Sequence, residues 1–457
     1  MSNASGRGFD HQRPPERRLI AECVHCGFCL PSCPTYLLWG LEPDSPRGRI
    51  DLMAGVLDGA IGLSPATVAH FDQCLGCLAC ESACPSGVQY GRLIERTRAQ
   101  IERNAPRAPA ERLFRAAFFQ LFPYPARLHA LLPLLRLYQA SGLRAALRRS
   151  GLLARLPARL GALEALLPPL PARAPALPHR TPPAQVLRLR VGLLAGCVQR
   201  VFFGEVNAAT ARVLAAEGCE VVVPAQGCCG ALELHAGRED AALARARRVI
   251  AAFERAGVDR IVVNAAGCGS TLKEYGELLA DDPRWARRAA RFAAKVRDVA
   301  ELLAELPPLG RYQPLPLRVA YHDACHLLHG QRLQRQPRAV LARVPALTVV
   351  ELPEPEVCCG SAGVYNLLQP APAQALGERK AAHIIASGAE ALTSGNPGCL
   401  LQLASALTRA GRPLPVFHPV QLLDASLRGA HLLGISGRQG SAVAGDRTEQ
   451  PRARGGG

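Results

Sequence analysis

From residue 188 onward the apolar positions switch between two periods. LRVGLLAG (Leu189 to Gly196) reads as a short buried strand, and NAATARVLAAEG (Asn207 to Gly218) has helical spacing and ends on glycine. CEVVVP (Cys219 to Pro224) is a second strand, one long helix is predicted from Ala231 to about Ala256, and RIVVNA (Arg260 to Ala265) is a third strand. Strands alternating with helices predict an α/β layer built on parallel strands. The same grammar restarts near Leu317 with LRVAYHDAC, LTVVELP (Leu347 to Pro353) and AEALTSGNPGC (Ala389 to Cys399).

The first 187 residues follow a different pattern, of short helices without strands. IDLMAGVLDGAIG (Ile50 to Gly62) is one, and GRLIERTRAQIERN (Gly91 to Asn104) is amphipathic, with its arginines on one side. Residues 105–186 read as several short basic helices broken by prolines. They end in LPPLPARAPALPHRTPP (Leu167 to Pro183), too proline-dense to pack as helix or sheet.

Charge adds a regional feature. Net charge is +17 from 54 basic and 37 acidic residues. Residues 102–183 alone hold 13 arginines, no lysine and 3 glutamates, a surplus of +10. No basic patch interleaved with aromatics and no nucleic-acid module occurs, so nucleic acid is not the expected partner. An anionic membrane surface or an acidic partner subunit suits a local surplus better. The N-terminal stretch lacks the apolar core of a secretory signal, and no run of about 18 apolar residues occurs, which leads to the expectation of a cytoplasmic chain.

Seventeen cysteines in such a chain point to ligation rather than disulfides. CVHCGFCLPSCPTY begins at Cys23 and CLGCLACESACPSG at Cys74; in each, four cysteines stand at gaps of two, two and three residues before a proline. That spacing wraps three thiolates around one iron–sulfur cube and sends the fourth to the neighbouring cube. Cys23, Cys26, Cys29 and Cys84 are then expected to hold one [4Fe–4S] cluster, and Cys74, Cys77, Cys80 and Cys33 the other. Zinc sites usually place ligands as two separated pairs, which fits this spacing poorly.

Eight further cysteines form a repeat. Cys197, Cys228, Cys229 and Cys268 recur as Cys325, Cys358, Cys359 and Cys399, at offsets of 128, 130, 130 and 131 residues. Each set falls just beyond the carboxyl ends of predicted strands, where loops of an α/β sheet gather into a crevice. Four thiolates converging there could hold a cluster, a zinc ion or a redox-active dithiol pair. Cys219 is left over and reads as a small core side chain.

Three histidines flank Cys325 in YHDACHLLHG. His322, His326 and His329 could be ligands, donors to ligands or part of a substrate or quinone pocket; the plainer reading is satisfied polar residues, and Asp323 stands the same way. SPRGR (Ser45 to Arg49) reads as a helix start, with Ser45 as cap and Pro46 in the first position, and could also orient the domain that carries the two runs or meet a partner. No Gly-x-Gly-x-x-Gly after a strand, no phosphate-binding loop and no flavin fingerprint is present. Clusters accept one electron at a time, so oxidation of an organic donor would need a flavin elsewhere.

Taken together, CVHCGFCLPSCPTY, SPRGRI, CLGCLACESACPSGVQYG, AGCVQR…GCCG and YHDACH…CCGSAG…NPGC resemble the iron–sulfur subunits of bacterial glycolate oxidase, over roughly residues 19 to 430. Residues 1–18 are polar and read as a mobile N-terminus; the resemblance implies 19–104 as a mainly helical, double [4Fe–4S] ferredoxin-type domain. It implies 187–312 and 313–432 as duplicated CCG α/β domains with parallel strands, while composition alone makes 105–186 a basic helical segment and linker and the low-complexity 433–457 a disordered tail. It further implies a partner subunit carrying FAD that oxidises glycolate to glyoxylate, a second flavin-type subunit, and electron delivery to the quinone pool at the inner face of the cytoplasmic membrane. Relatives serving lactate, glycerol 3-phosphate or heterodisulfide reduction share the architecture. Some of them end each half with Cys-x-x-Cys; here Thr271 and Gln402 stand at those last positions.

Overall fold

The computed structural model describes residues 8–171, 177–430 and 432. The expected mobile start in part, five residues of the proline-rich linker, and the expected disordered tail lie outside the described residues.

Among the described residues, nine strands form two sheets. The first contains β1 (Arg180–Thr181), β2 (Leu189–Leu194), β3 (Cys219–Val222), β4 (Arg260–Val263) and β5 (Val296–Asp298), in the order β1-β3-β2-β4-β5. The second contains β6 (Leu317–Tyr321), β7 (Leu347–Glu351), β8 (Ala391–Thr393) and β9 (Val416–Phe417), in the order β7-β6-β8-β9. Apart from the antiparallel β1, every pairing is parallel. Without β1 the two orders coincide, so the repeat seen in the cysteines is a repeat of topology.

Parallel strands need crossover helices, and the apolar spacing supplies them. Gly204–Ala216 and Glu239–Ala256 cross in the first half, Arg335–Leu341 and Pro370–Ala386 in the second. The halves do not have separate cores. Leu193, Val206 and Leu214 share one buried cluster with Val319, Leu341 and Leu422. Arg212 forks onto buried Asp424 across the junction at 2.7 and 2.8 Å.

Two elements depart from the sequence reading. The single helix expected from Ala231 to Ala256 is two, Ala231–Leu234 and Glu239–Ala256. Between them Gly237 takes φ +80°, and a Cβ there would stand 2.2 Å from the Arg98 carbonyl oxygen. The break lets the chain pass against the N-terminal part. Conversely, the helix Pro125–Ala140 continues through Pro133. Proline removes one backbone donor, but His129, whose carbonyl loses it, is exposed, while Leu128 and Leu132 anchor the other face.

The N-terminal part has no strand among its described residues. Short helices at Pro34–Trp39, Pro46–Leu57, Pro65–Asp72 and Ala79–Ala83 lead into the longer Tyr90–Asn104. Ser45 caps Pro46–Leu57 as read, its Oγ accepting from the Gly48 N–H at 3.0 Å. Leu19, Ile50, Met53, Phe71, Leu93 and Ile94 form the core, with Cys74 and Cys80 inside it and Cys23, Cys29 and Cys84 packed on its edge. The linker helices Pro109–Leu121, Pro125–Ala140 and Ala158–Ala165 follow. Phe118 and Phe119 of the first pack with Ala236 of one half and with Val364 and Leu367 of the other. The linker therefore lies across the loops of both halves.

Candidate electron-transfer site

The two N-terminal cysteine runs interleave. Burial pushes the Cys80 thiol well up, and the charges of Cys77, Cys74 and Cys33 push the same way. Cys77 is raised by burial and then by Cys325, with Cys33 and Cys74 also facing it. Cys33, from the first run, thus neighbours Cys77 and Cys80 of the second. Burial likewise raises Cys23, and among the charges that repel it are Cys84, from the second run, and Cys26. Cys29 is raised to about 11 by burial, with Cys23 and Cys33 facing it.

Cys74 departs from this pattern. Burial acts to raise it, but the Arg49 and Arg98 guanidiniums, the Gly76 N–H and the Tyr90 hydroxyl together hold it below the ordinary thiol range. Gly76 donates to its sulfur at 3.3 Å and Tyr90 Oη at 3.6 Å.

Arg49 connects the runs. It is 1% exposed. Its Nε donates to the His70 carbonyl at 2.7 Å, its Nη1 to the Thr35 hydroxyl and the Asp44 carbonyl, and its Nη2 to the Asp44 carboxylate at 3.3 Å. Arg47 Nη1 donates to the His25 carbonyl inside the first run at 2.9 Å. The Ser45–Arg49 turn is therefore a helix start whose arginines also hold the first run, Arg47 at His25 and Arg49 at Thr35.

Such thiols suit iron–sulfur clusters. Thiols of the two runs face one another, and burial keeps Cys23, Cys29, Cys77 and Cys80 protonated until a cationic cluster draws the protons off. A bound [4Fe–4S] cluster supplies one-electron chemistry.

In the duplicated part every expected cysteine lies beyond the carboxyl end of a strand. Cys197 follows β2, Cys228 and Cys229 follow β3, and Cys268 opens the helix Ala266–Leu278 after β4; Cys325, Cys358, Cys359 and Cys399 repeat this after β6, β7 and β8. Cys268 and Cys399 occupy first helical turns. Gly230 and Gly360 hold φ +89° and +88°, and a Cβ on Gly360 would stand 2.6 Å from the Ala373 carbonyl oxygen, which explains the third letter of each Cys-Cys-Gly.

The two quartets are not alike. In the first, hydrogen bonds from Cys197 and Cys229 hold Cys228 well below the ordinary thiol value, while its partners are pushed well above it. In the second, Cys325, Cys358 and Cys359 are all pushed well up. Cys358 Sγ lies 3.8 Å from Cys325 Sγ. Cys358 also packs, with Cys325 at the edge, in one cluster with Cys77, so the N-terminal runs abut the second quartet directly.

A cavity of about 230 Å³ lies between the halves. Cys197, Cys228, Cys229 and Cys268 line one side, Cys325 and Cys399 the other, and Phe118, Phe122, Leu163 and Leu166 of the linker roof it. His326 lines this cavity; its Nε2 bonds the Gly76 carbonyl at 2.9 Å and its Nδ1 has no partner among the described residues. A second cavity of about 190 Å³, lined by Glu81, Glu95, Glu274 and Glu277, shares His235 and His326 with the first.

His329, Asp323 and Cys219 are satisfied or buried within the fold. His329 is satisfied by Ser82 Oγ at 2.8 Å and the Glu356 carbonyl at 3.0 Å. Asp323 receives the Arg338 fork at 2.9 and 2.7 Å. Cys219 is fully buried in the shared core, as read. Sequence reasoning missed His235 and the linker phenylalanines, whose roles no spacing signals. The arginines of SPRGR carried a signal, in their position between the two runs.

Comparison with known proteins defines the class. Residues 20–88 match the 4Fe–4S dicluster domain, residues 191–273 and 319–404 the cysteine-rich domain, and residues 110–167 the linker region of the glycolate oxidase iron–sulfur subunit. The chain is 40% identical over 431 residues to the probable glycolate oxidase iron–sulfur subunit of Bacillus subtilis, covering 93% of this chain and 94% of that one. It is 37% identical to the glycolate oxidase iron–sulfur subunit of Escherichia coli, covering 90% and 94%. Lactate utilization protein A of Shouchella clausii is 31% identical over 52% of this chain and 99% of its own. The chain belongs to the family of glycolate oxidase iron–sulfur subunits.

Proposed function

We propose that this chain is the electron-carrying subunit of a glycolate-oxidising complex. A partner subunit with FAD oxidises glycolate to glyoxylate, a second flavin-type subunit completes the assembly, and electrons leave through this chain toward quinone. Cys23, Cys26, Cys29 and Cys84 hold one [4Fe–4S] cluster, and Cys74, Cys77, Cys80 and Cys33 the other. Each quartet of the duplicated part, Cys197–Cys228–Cys229–Cys268 and Cys325–Cys358–Cys359–Cys399, is a further cluster or metal site. The observation that carries the reading is the packing of Cys77 against Cys358 and Cys325. It makes the path from the dicluster part to the duplicated part contiguous.

The chain works at the inner face of the cytoplasmic membrane as a peripheral protein. No helix among the described residues is long and apolar enough to cross a membrane. The linker exposes Leu134 and Leu137 at 64% and 63%, with Leu143 and Leu152 also exposed, in the segment that carries the arginine surplus. Apolar side chains among arginines suit an anionic lipid surface.

The test is anaerobic purification of the complex, followed by glycolate, D-lactate, L-lactate or glycerol 3-phosphate while cluster absorbance and the EPR signal are followed. Bleaching with glycolate supports the reading. Bleaching with lactate alone transfers the mechanism to a lactate-oxidising complex. No reduction by any of the four, with oxidation by a disulfide instead, overturns the relay.

A further inference from the structure

An imidazole stands beside the second quartet where the first has an aliphatic side chain. His322 follows β6 directly and lies three residues before Cys325. The corresponding position before Cys197 is Leu194, which packs in the core with Cys197, Cys228 and Cys229. His322, Cys359 and Cys399 bring one imidazole nitrogen and two sulfurs within 4.8 Å of one another. All three residues are nearly inaccessible, at 2%, 0% and 2%.

His322 Nε2 is a buried polar atom without a hydrogen-bond partner among the described residues. An orphaned polar atom in a closed core costs about 1–3 kcal/mol unless something occupies it. Cys399 Sγ is oriented by Asn396 Nδ2, which donates to it at 3.4 Å. Cys358 points the other way, toward Cys325 and the N-terminal runs.

From this geometry we infer that the second half binds a mononuclear zinc ion through His322, Cys359 and Cys399, and that the first half, lacking the imidazole, does not. Mixed nitrogen and sulfur donors select zinc among the common divalent ions. Bond lengths of about 2.3 Å to sulfur and 2.0 Å to nitrogen place tetrahedral donors about 3.5–3.8 Å apart, so metal entry draws the three together by about 1 Å. Two thiolates, a neutral imidazole and a divalent ion sum to zero charge, the arrangement cheapest to bury. The two protons released from Cys359 and Cys399 leave to solvent as the metal enters.

The inference deepens the proposal that the second quartet is a metal site, and it is independent of the relay. Its test is zinc and iron content of the anaerobically purified full chain, with zinc K-edge absorption spectroscopy on the same sample. The expected result is about one zinc per chain, with two sulfur neighbours and imidazole scattering. His322→Leu, which installs the first half's residue, loses the zinc and keeps the iron; Cys219→Ser, in the shared core outside both quartets, keeps both. Unfolding of the zinc-free variant leaves the wild-type spectrum to decide. Absence of zinc, an all-sulfur shell, or zinc retained by His322→Leu overturns the inference. Substrate-driven reduction of the N-terminal clusters is read separately and can fail or succeed alone.

Discussion

His235 Nδ1 stands 3.1 Å from Glu95 Oε1, and the contact is a neutral hydrogen bond rather than an ion pair. Burial holds His235 down at about 4, helped by the Arg98 charge. Burial raises Glu95 to about 8 against the attraction of Arg98, with Glu277, Glu81 and Glu239 adding to the rise. Both partners are therefore uncharged near neutral pH, at the wall that separates the thiol-lined cavity from the carboxylate-lined one.

This relationship predicts opposed pH effects. Glu95 keeps its proton in the fold and loses it on unfolding, so its contribution is complete below the unfolded value of about 4.3 and disappears as pH rises through about 8. His235 is the reverse: its contribution is present above about 6.5 and is lost as pH falls through about 4. Glu95→Gln should flatten the fall in melting temperature on the alkaline side. Melting curves across pH ~5 to ~9 check this; an unchanged alkaline slope would refute it.

Arg49 predicts a stability effect. Arg49→Ala leaves Asp44 buried at 1% exposure without its guanidinium partner, and His70 and Thr35 without a donor. Removing one partner of a buried pair costs about 3–5 kcal/mol. Anaerobic urea unfolding should show a loss of that order, with cluster iron lost at lower denaturant. Arg49→Lys keeps the charge but not the fork and should fall between.

The mixing of the two runs predicts a crossed pattern of cysteine losses. Cys84→Ser should remove about four irons per chain, and adding Cys23→Ser should remove no more. Cys84→Ser combined with Cys74→Ser should remove about eight. The reverse pattern, with Cys84 grouping with Cys74, would show that each run holds its own cluster.

Gly237 predicts the strength of docking between the N-terminal part and the first half. Gly237→Ala forces a Cβ toward the Arg98 carbonyl, 2.2 Å away in the unrelaxed backbone, and should cost ~2 kcal/mol or more. Gly257→Ala is the control: φ is +59° with nothing within 4 Å, so its cost should stay near ~1 kcal/mol. Thermal unfolding of the two variants separates steric docking from backbone strain.

Much of this molecule could be read along the chain. Cysteine spacing, the strand–helix alternation and the 128–131 residue repeat are local or periodic properties, set by how far a few residues of backbone can reach. They gave the parallel sheets, the placement of each quartet beyond strand ends, and the cap at Ser45. The helix through Pro133 and the break at Gly237 could not be read this way. In each case the deciding contact or solvation comes from the packed fold.

Convergence belonged to the tertiary structure. His235 meets Glu95 across 140 residues, and His326 meets Gly76 across 250. Cys77 lies against Cys325 and Cys358, and His322 joins Cys359 and Cys399, through no spacing that a single chain displays. Residue types and local spacing determined which ligands exist. Burial and the docking of the linker across both halves decided which of them share a site, because only packing brings distant segments within reach and strips them of water.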